Sequence, residues 1–454
     1  LEGVAWTNTR MHHLQNEMES CSGYPQAFGI MGLHDNGENY FIANGQTVAN
    51  LSGISIAQQK SHPQFQIDAY ASALESILVQ SNDHLDPVNI SSALMQLSEI
   101  PDTGLVNLLA REMQVYEVLR FMCDPTQAET FGFTKHKFNL ESVFGVEHYA
   151  ILSSERISLS SSSITNENGD IFLVNANATQ QYGPAIWNPA PACNFSSRNG
   201  VAVSAITIHT VQGTYAGAIS WSQNCVSNVS FHYVIRSSDG QVTQMVDEND
   251  KGWHVGSENP YTIGYEHEGY VSDPSWYTDA MYNSSSDLSK DIINSGYGIS
   301  GLRTYFGPSS DVVDVLGGCT KIKGHQHYPN QTHTDPGIHW DWERYYRLIN
   351  DNPTYTPITA TGGTLYDSGG PTGEYTDDER LFWLIQPPNS DYITLDFNLF
   401  EIETDWDYLF IYDGDSINDP LIGQFTGNSI PQIVSTGGSL LLEFRSDCAT
   451  TAIG

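Results

Sequence analysis

The chain has 454 residues, and its 53 Asp and Glu against 18 Lys and Arg give a formal charge of -35, which excludes nucleic acid and anionic lipid as surface partners. Its 39% hydrophobic and 11% aromatic residues exclude a disordered acidic chain and supply material for roughly three cored domains. No run approaches the roughly 18 apolar residues of a membrane-spanning helix, so no transmembrane segment is expected. The start, Leu1-Glu-Gly-Val-Ala, lacks a basic region followed by an apolar one, so any signal peptide is expected to have been removed. Cys21, Cys123, Cys193, Cys225, Cys319 and Cys448 are scattered without C-x-x-C spacing and read as disulfides or buried thiols rather than metal ligands. Little lysine, much Ser, Thr, Asn and Gly, and an acidic surface fit a secreted protein, extracellular or at a cell surface, in a salty medium.

Residues 1–148 read as a mainly helical accessory domain. An initial helix carrying Glu17 and Glu19 is expected to lead into a turn-rich element over 24–40. Helices follow over 65–79 and 105–122, the second with a broad apolar face of Leu108, Leu109, Met113, Val115, Tyr116, Val118 and Leu119. A glutamate ahead of Gly29-Ile-Met-Gly-Leu33 weakly resembles the lysozyme-like helical domains. A glycosidase needs one carboxyl kept protonated in an apolar cleft and usually a second across the sugar, and no such pair stands out, so the domain is assigned an accessory or wall-contacting role.

Residues 149–199 read as a Ser/Thr/Asn-rich connector with proline punctuation at 184–191. Small and β-branched residues over 201–209 then predict a buried strand ending at His209. An edge helix is expected over 216–224, and two strands joined by a turn over 230–236 and 241–246, giving a mixed α/β domain over 200–349. Far downstream lies Gly324-His325 through His333-Thr-Asp335-Pro-Gly337. Imidazoles suit zinc, a carboxylate can be its third ligand, and a catalytic zinc keeps one position open for water, which His209, His325 and Asp335 together would leave free. His232 and His254 are competing ligands, while His327, His333 and His339 are decoys or outer-shell groups.

Five segments in order, Thr207-Ile-His209-Thr, Ser230-Phe-His-Tyr-Val-Ile, Trp253-His-Val-Gly256, Thr262-Ile-Gly-Tyr-Glu266-His-Glu-Gly269 and Gly324-His325 through Gly337, resemble the zinc-dependent N-acetylmuramoyl-L-alanine amidases, the family that includes peptidoglycan recognition proteins. The resemblance implies a mixed sheet with packed helices and an open groove for glycan and stem peptide. It makes His209, His325 and Asp335 the zinc ligands and Glu266 the proton-transferring acid/base, with Glu268 the nearest competitor. His333 stands where relatives place a basic residue near the metal, and Trp253, His254 and Tyr265 contribute to the substrate groove. The implied reaction is hydrolysis, by zinc-activated water, of the peptidoglycan amide between N-acetylmuramic acid and L-alanine. The alternative is a non-catalytic muropeptide-recognition and adhesion protein; recognition members lose a ligand, whereas all three positions and the glutamate are present here.

A stiff linker over 350–361 precedes 362–454, whose short alternating runs predict an antiparallel β-sandwich. Asp407-Tyr-Leu-Phe-Ile-Tyr-Asp413-Gly, preceded by Glu403 and followed by Phe444-Arg-Ser-Asp447, resembles a CUB domain. That resemblance implies a calcium site at Glu403, Asp407 and Asp447, whose hard oxygens suit Ca²⁺, and a carbohydrate or protein partner. It departs from the family in having Asp405 near a usual cysteine and in stopping at Gly454, where a further strand normally follows.

Overall fold

The computed structural model describes residues 1–35, 43–80, 86–159, 163–172, 193–350, 353, 355 and 357–454. The proline-punctuated stretch at 184–191 and parts of the 24–40 element and the 350–361 linker lie outside the described residues. Among the described residues, no helix is long and apolar enough to cross a membrane. The chain divides into two compact units, the first holding Leu1–Leu288, Ser310–Val315 and Gly324–Trp340, the second Ser289–Ser309, Leu316–Lys323 and Asp341–Gly454.

In the first unit, helix α1 (Glu2–Thr9) is followed by α2 (Pro63–Leu78), α3 (Pro87–Leu97) and α4 (Leu105–Cys123), with shorter helices between and after them. Proline opens α2 and α3 at a position where no backbone donor is needed, and the Asp86 carboxylate caps α3 by accepting from Val88 N–H. Helix α1 is shorter than the sequence pattern predicts. Thr7, Asn8 and Thr9 are weak helix formers, and Arg10 and Met11 turn left-handed at φ 50° and 63°, so Glu17 and Glu19 sit on an irregular strap instead of a helix.

Helix α4 explains why its apolar face looks so broad. Leu105, Leu109, Met113 and Tyr116 join the core under the sheet, while Val115, Val118 and Leu119 join the core of the surrounding helices. Each such side chain contributes about 1.5–3 kcal/mol when fully removed from water. The helical region and the sheet therefore share α4 as common packing material.

The sheet of this unit contains β1 (Arg156–Leu159), β2 (Ile164–Asn166), β3 (Ile171–Phe172), β4 (Ala205–Thr210), β5 (Tyr233–Ile235), β6 (Val242–Gln244) and β7 (Thr262–His267), in the order β4-β7-β5-β6-β1-β2-β3. β4 and β5 flank β7 in parallel, β5 and β6 form an antiparallel hairpin, and β1 pairs parallel to β6. β1 to β3 arise within the expected connector, because Ile157 and Ile164 bury themselves among its serines. Between β4 and β5 lies α5 (Tyr215–Ser222), all eight of whose residues are buried. It is not an edge helix, since Tyr215, Ala218, Ile219 and Trp221 share a core with α4.

The second unit has helix α6 (Trp342–Asn350) and a five-stranded sheet of β8 (Pro357–Ile358), β9 (Arg380–Ile385), β10 (Tyr408–Tyr412), β11 (Leu421–Phe425) and β12 (Leu440–Arg445), ordered β8-β9-β12-β10-β11. Period-2 alternation assigns its faces. Leu409, Ile411, Leu442 and Phe444 face the short strand pair Thr394–Leu395 and Ile433–Val434 through Ile433, whereas Phe410, Tyr412 and Leu441 face Phe306 and Tyr346. Both faces are covered, so β10 and β12 are buried throughout, and the C-terminal region is a β-sandwich.

Candidate metal centre

Two fully buried parallel strands carry polar residues at their carboxyl ends, where sheets of this kind collect ligands. In the β4–β7 register His209 lies opposite Glu266, so both side chains leave the sheet on the same face. His325 opens a single 3₁₀ turn after Gly324, and the chain returns with Asp335. His209 Nδ1 stands 3.0 Å from Asp335 Oδ2, His325 Nδ1 stands 3.2 Å from Asp335 Oδ1, and the two imidazole centroids are 4.8 Å apart.

Each imidazole is oriented from its far side. His209 Nε2 hydrogen-bonds His254 Nδ1 at 3.0 Å, and His325 Nε2 donates to Gln331 Oε1 at 2.8 Å, leaving both Nδ1 atoms facing the centre. Burial pushes His209 down to about 4 and also depresses His254. Burial opposes charge on His325 too, but Asp335 overrides it and raises that histidine, while the two histidines hold Asp335 well below the carboxylate range against its own desolvation.

A fourth donor arrives from the N-terminal strap. Cys21 Sγ lies 3.7 Å from His209 Nδ1 and 3.7 Å from Glu266 Oε1, and one ligand atom from each of Cys21, His209, His325 and Asp335 falls within 4.8 Å of all the others. Zinc bonds of about 2.0 Å to nitrogen or oxygen and about 2.3 Å to sulfur give tetrahedral edges of about 3.3 Å and, to sulfur, about 3.5 Å. The separations of Asp335 Oδ2 and Cys21 Sγ from His209 Nδ1, 3.0 and 3.7 Å, fit those edges. His325 Nδ1 is buried and makes no hydrogen bond despite its nearness to Asp335, so the two donors aim at a shared point more than at each other.

Glu266 is completely buried beside this cluster, and its Oε2 has no hydrogen-bond partner among the described residues. Burial, followed by Asp335, raises its carboxyl well above the usual range. Glu268 goes elsewhere: its two oxygens accept from Tyr215 N–H and Ser237 N–H at 2.8 and 2.9 Å, pinning the start of α5 to the turn after β5.

The other sequence-selected residues divide by location. His333 is half-buried with its ring 5.5 Å from that of His325. His254 is behind His209, Tyr265 is enclosed against Tyr233 at 5.7 Å, and the Trp253 indole donates to Ser196 Oγ at 3.2 Å. His232 is held away by Gly264 N–H on Nδ1 and by Arg198 on Nε2, and His327 Nδ1 accepts from Gly324 N–H. His339 is exposed. Sequence reasoning missed Gln331, and it placed Cys21 among structural thiols although no local spacing links it to a histidine 188 positions away. Of the remaining cysteines, Cys193–Cys225 and Cys319–Cys448 form disulfides as expected, whereas Cys123 is a free thiol that is only partly buried.

In the second unit Glu403, Asp407 and Asp447 bring one carboxylate oxygen each within 4.8 Å of the others. Asp407 is buried and accepts from Tyr375 O–H and from Asp447 N–H. Its desolvation, with Asp447 and Glu403 nearby, lifts its carboxyl to about 7.

With this geometry in hand, residues 199–338 match the family model described as N-acetylmuramoyl-L-alanine amidase, and residues 354–454 match that of the CUB domain. N-acetylmuramoyl-L-alanine amidase A of Achromobacter lyticus is 42% identical over 170 residues, which are 37% of this chain and 95% of that protein. The chain belongs to the N-acetylmuramoyl-L-alanine amidase family. Multiple epidermal growth factor-like domains protein 8 of Rattus norvegicus is 37% identical over 84 residues, 18% of this chain and only 3% of that protein. Among solved structures, the Staphylococcus aureus hydrolase AmiA in complex with its ligand is 22% identical to the amidase chain, covering 37% of it and 78% of AmiA at a TM-score of 0.26.

Proposed function

We propose that the chain is a secreted peptidoglycan hydrolase that cleaves the amide between the lactyl group of N-acetylmuramic acid and L-alanine. The observation that carries this reading is the buried His209, His325 and Asp335 donor set with Glu266 registered against His209 in a member of the amidase family. The cation of best fit is zinc, held by the two Nδ1 atoms and the Asp335 carboxylate. When bound there, zinc polarises the substrate carbonyl and lowers the pKa of a water.

The chain's own groups supply the remaining work. Glu266, with a free oxygen and a carboxyl raised by burial, takes a proton from the attacking water and returns it to the departing alanine nitrogen. His254 and Gln331 keep the two ligand imidazoles in one tautomer and orientation. His333, depressed by burial, is neutral at neutral pH and donates an N–H to the developing oxyanion. Trp253 and Tyr265 support the groove wall. In the second unit Glu403, Asp407 and Asp447 hold Ca²⁺, and the CUB domain orients the enzyme toward a carbohydrate or protein partner outside the cell.

The test is to give zinc-loaded protein muropeptides and measure new L-alanine amino groups. Release of stem peptide that stops on chelation and returns with zinc is expected. Tight muropeptide binding without release, from metal-loaded protein and from metal-loaded Cys21→Ser alike, would replace this reading by the recognition-protein alternative.

A further inference from the structure

A metal that performs hydrolysis needs a vacant position, whereas four protein donors make the closed arrangement of a structural site. The centre described above has four. The additional donor sits where a nucleophile has to stand, because Cys21 Sγ is equidistant, at 3.7 Å, from a ligand nitrogen of His209 and from Oε1 of Glu266, the residue that takes the proton. The second oxygen of Glu266 is buried and has no hydrogen-bond partner among the described residues.

The strap over 17–24 is built to hold the thiol there. Ser20 Oγ donates to Val211 O at 2.7 Å just beyond β4, Gln212 Nε2 donates to Met18 O at 3.2 Å, and the Trp221 indole donates to Ser22 O at 2.8 Å. Tyr24 anchors the end of the strap over the start of α5. There a methyl on Gly213 would come within 2.6 Å of its ring, and one on Gly217 would overlap its hydroxyl, so the absence of two side chains makes room for this one. These fastenings lie on both sides of Cys21 and attach it to the two elements that follow His209.

We propose that Cys21 is a fourth, chain-supplied ligand of the metal, so that the folded protein is a latent amidase until the strap is displaced. This rests on the metal-site reading above. On metal binding the thiol releases its proton to solvent and its sulfur takes the fourth position, so no oxidant or reductant is involved. Displacing the strap lets solvent return the proton to the thiol and opens that position to water and the substrate carbonyl.

The experiment uses the full chain carrying Cys123→Ser, which leaves Cys21 as the one thiol outside the two disulfides. Cobalt in place of zinc should give a sulfur-to-cobalt charge-transfer band in the near ultraviolet, and Cys21 should resist a chromogenic disulfide reagent until the metal is chelated. Adding Cys21→Ser should abolish the band with cobalt still bound, and should raise turnover of the zinc form by about tenfold or more if the closed state is held at least nine-tenths of the time. Cobalt binding without the band, equal thiol reactivity with and without metal, or a band whose loss leaves turnover unchanged each overturns the proposal. Failure of the wild type to take up any metal overturns the metal-site reading along with it. The first two measurements need no Cys21 variant, so misfolding of Cys21→Ser cannot shield the idea.

Discussion

His209 and Glu266 are neighbours across a single strand pair, yet they do different jobs and should fail differently. Removing His209, His325 or Asp335 by alanine takes away a nitrogen or oxygen donor that Cys21 does not replace, so metal content and turnover are expected to fall together. Glu266→Gln preserves shape and every donor, and is expected to keep full zinc content while turnover drops by about 10²–10⁴-fold, the usual worth of a positioned acid/base. Elemental analysis beside the muropeptide assay separates the two cases; near-normal turnover in Glu266→Gln would move the proton-transfer role elsewhere. His254 touches His209 from behind. His254→Ala is therefore expected to weaken metal binding by about 10–100-fold, read by competition against a chromogenic chelator, without removing a donor atom.

Strand β12 shows how an element can depend on one buried charge. Glu443 Oε1 accepts from both Arg445 and Arg380 at 2.7 Å, Arg445 also reaches Glu343 on α6 at 2.9 Å, and Glu443 and Arg445 are fully enclosed. Removing the central carboxylate takes the shared acceptor from two guanidinium groups, of which that of Arg445 is fully enclosed. Glu443→Ala is expected to destabilise the second unit by about 3–5 kcal/mol, seen as a lower denaturant midpoint at unchanged slope. A shift within experimental scatter would mean that the arginines find water instead. A related clamp operates in the first unit, where Glu268 ties α5 to the turn after β5 through two backbone donors.

At the scale of the molecule, each unit carries its own disulfide and its own cluster of metal-binding character. The two clusters differ in chemistry, nitrogen with sulfur and one carboxylate against carboxylates alone, so they should answer to different cations. In the calcium-free second unit Asp407 has a carboxyl near 7 instead of its ordinary 3.8, because it is buried beside Asp447 and Glu403. The folded form thus binds this proton more tightly than the unfolded chain does. Stability from Asp407 is present at low pH, falls as pH rises from about 4 to about 7, and is lost above that. Calcium offsets the repulsion only once the carboxylates ionise. The gain in melting temperature from calcium over EDTA is accordingly expected to be large at about pH 8 and small at about pH 5. Equal transitions with and without calcium at both values, persisting in Asp407→Ala, would leave the cluster as solvated acid groups.

The local pattern was enough for much of this architecture. Leu105 to Cys123 and Leu440 to Arg445 announce a helix and a strand through their periodicities, and the motifs around His209, Glu266, His325 and Asp335 stand in family order. These features depend on neighbours along the chain or on residue types that zinc chemistry demands. The rest depends on contacts between distant segments. Only the β4–β7 register distinguishes Glu266 from Glu268, two similar carboxylates two residues apart, by placing one against His209 and giving the other to backbone donors. Only packing shows that a Ser-rich connector hides buried Ile157 and Ile164, because two isoleucines are too few to raise a strand signal above their polar neighbours. Cys21 is the clearest case: it has no ligand spacing around it, and folding alone carries it across 188 positions to a place beside His209 and Glu266.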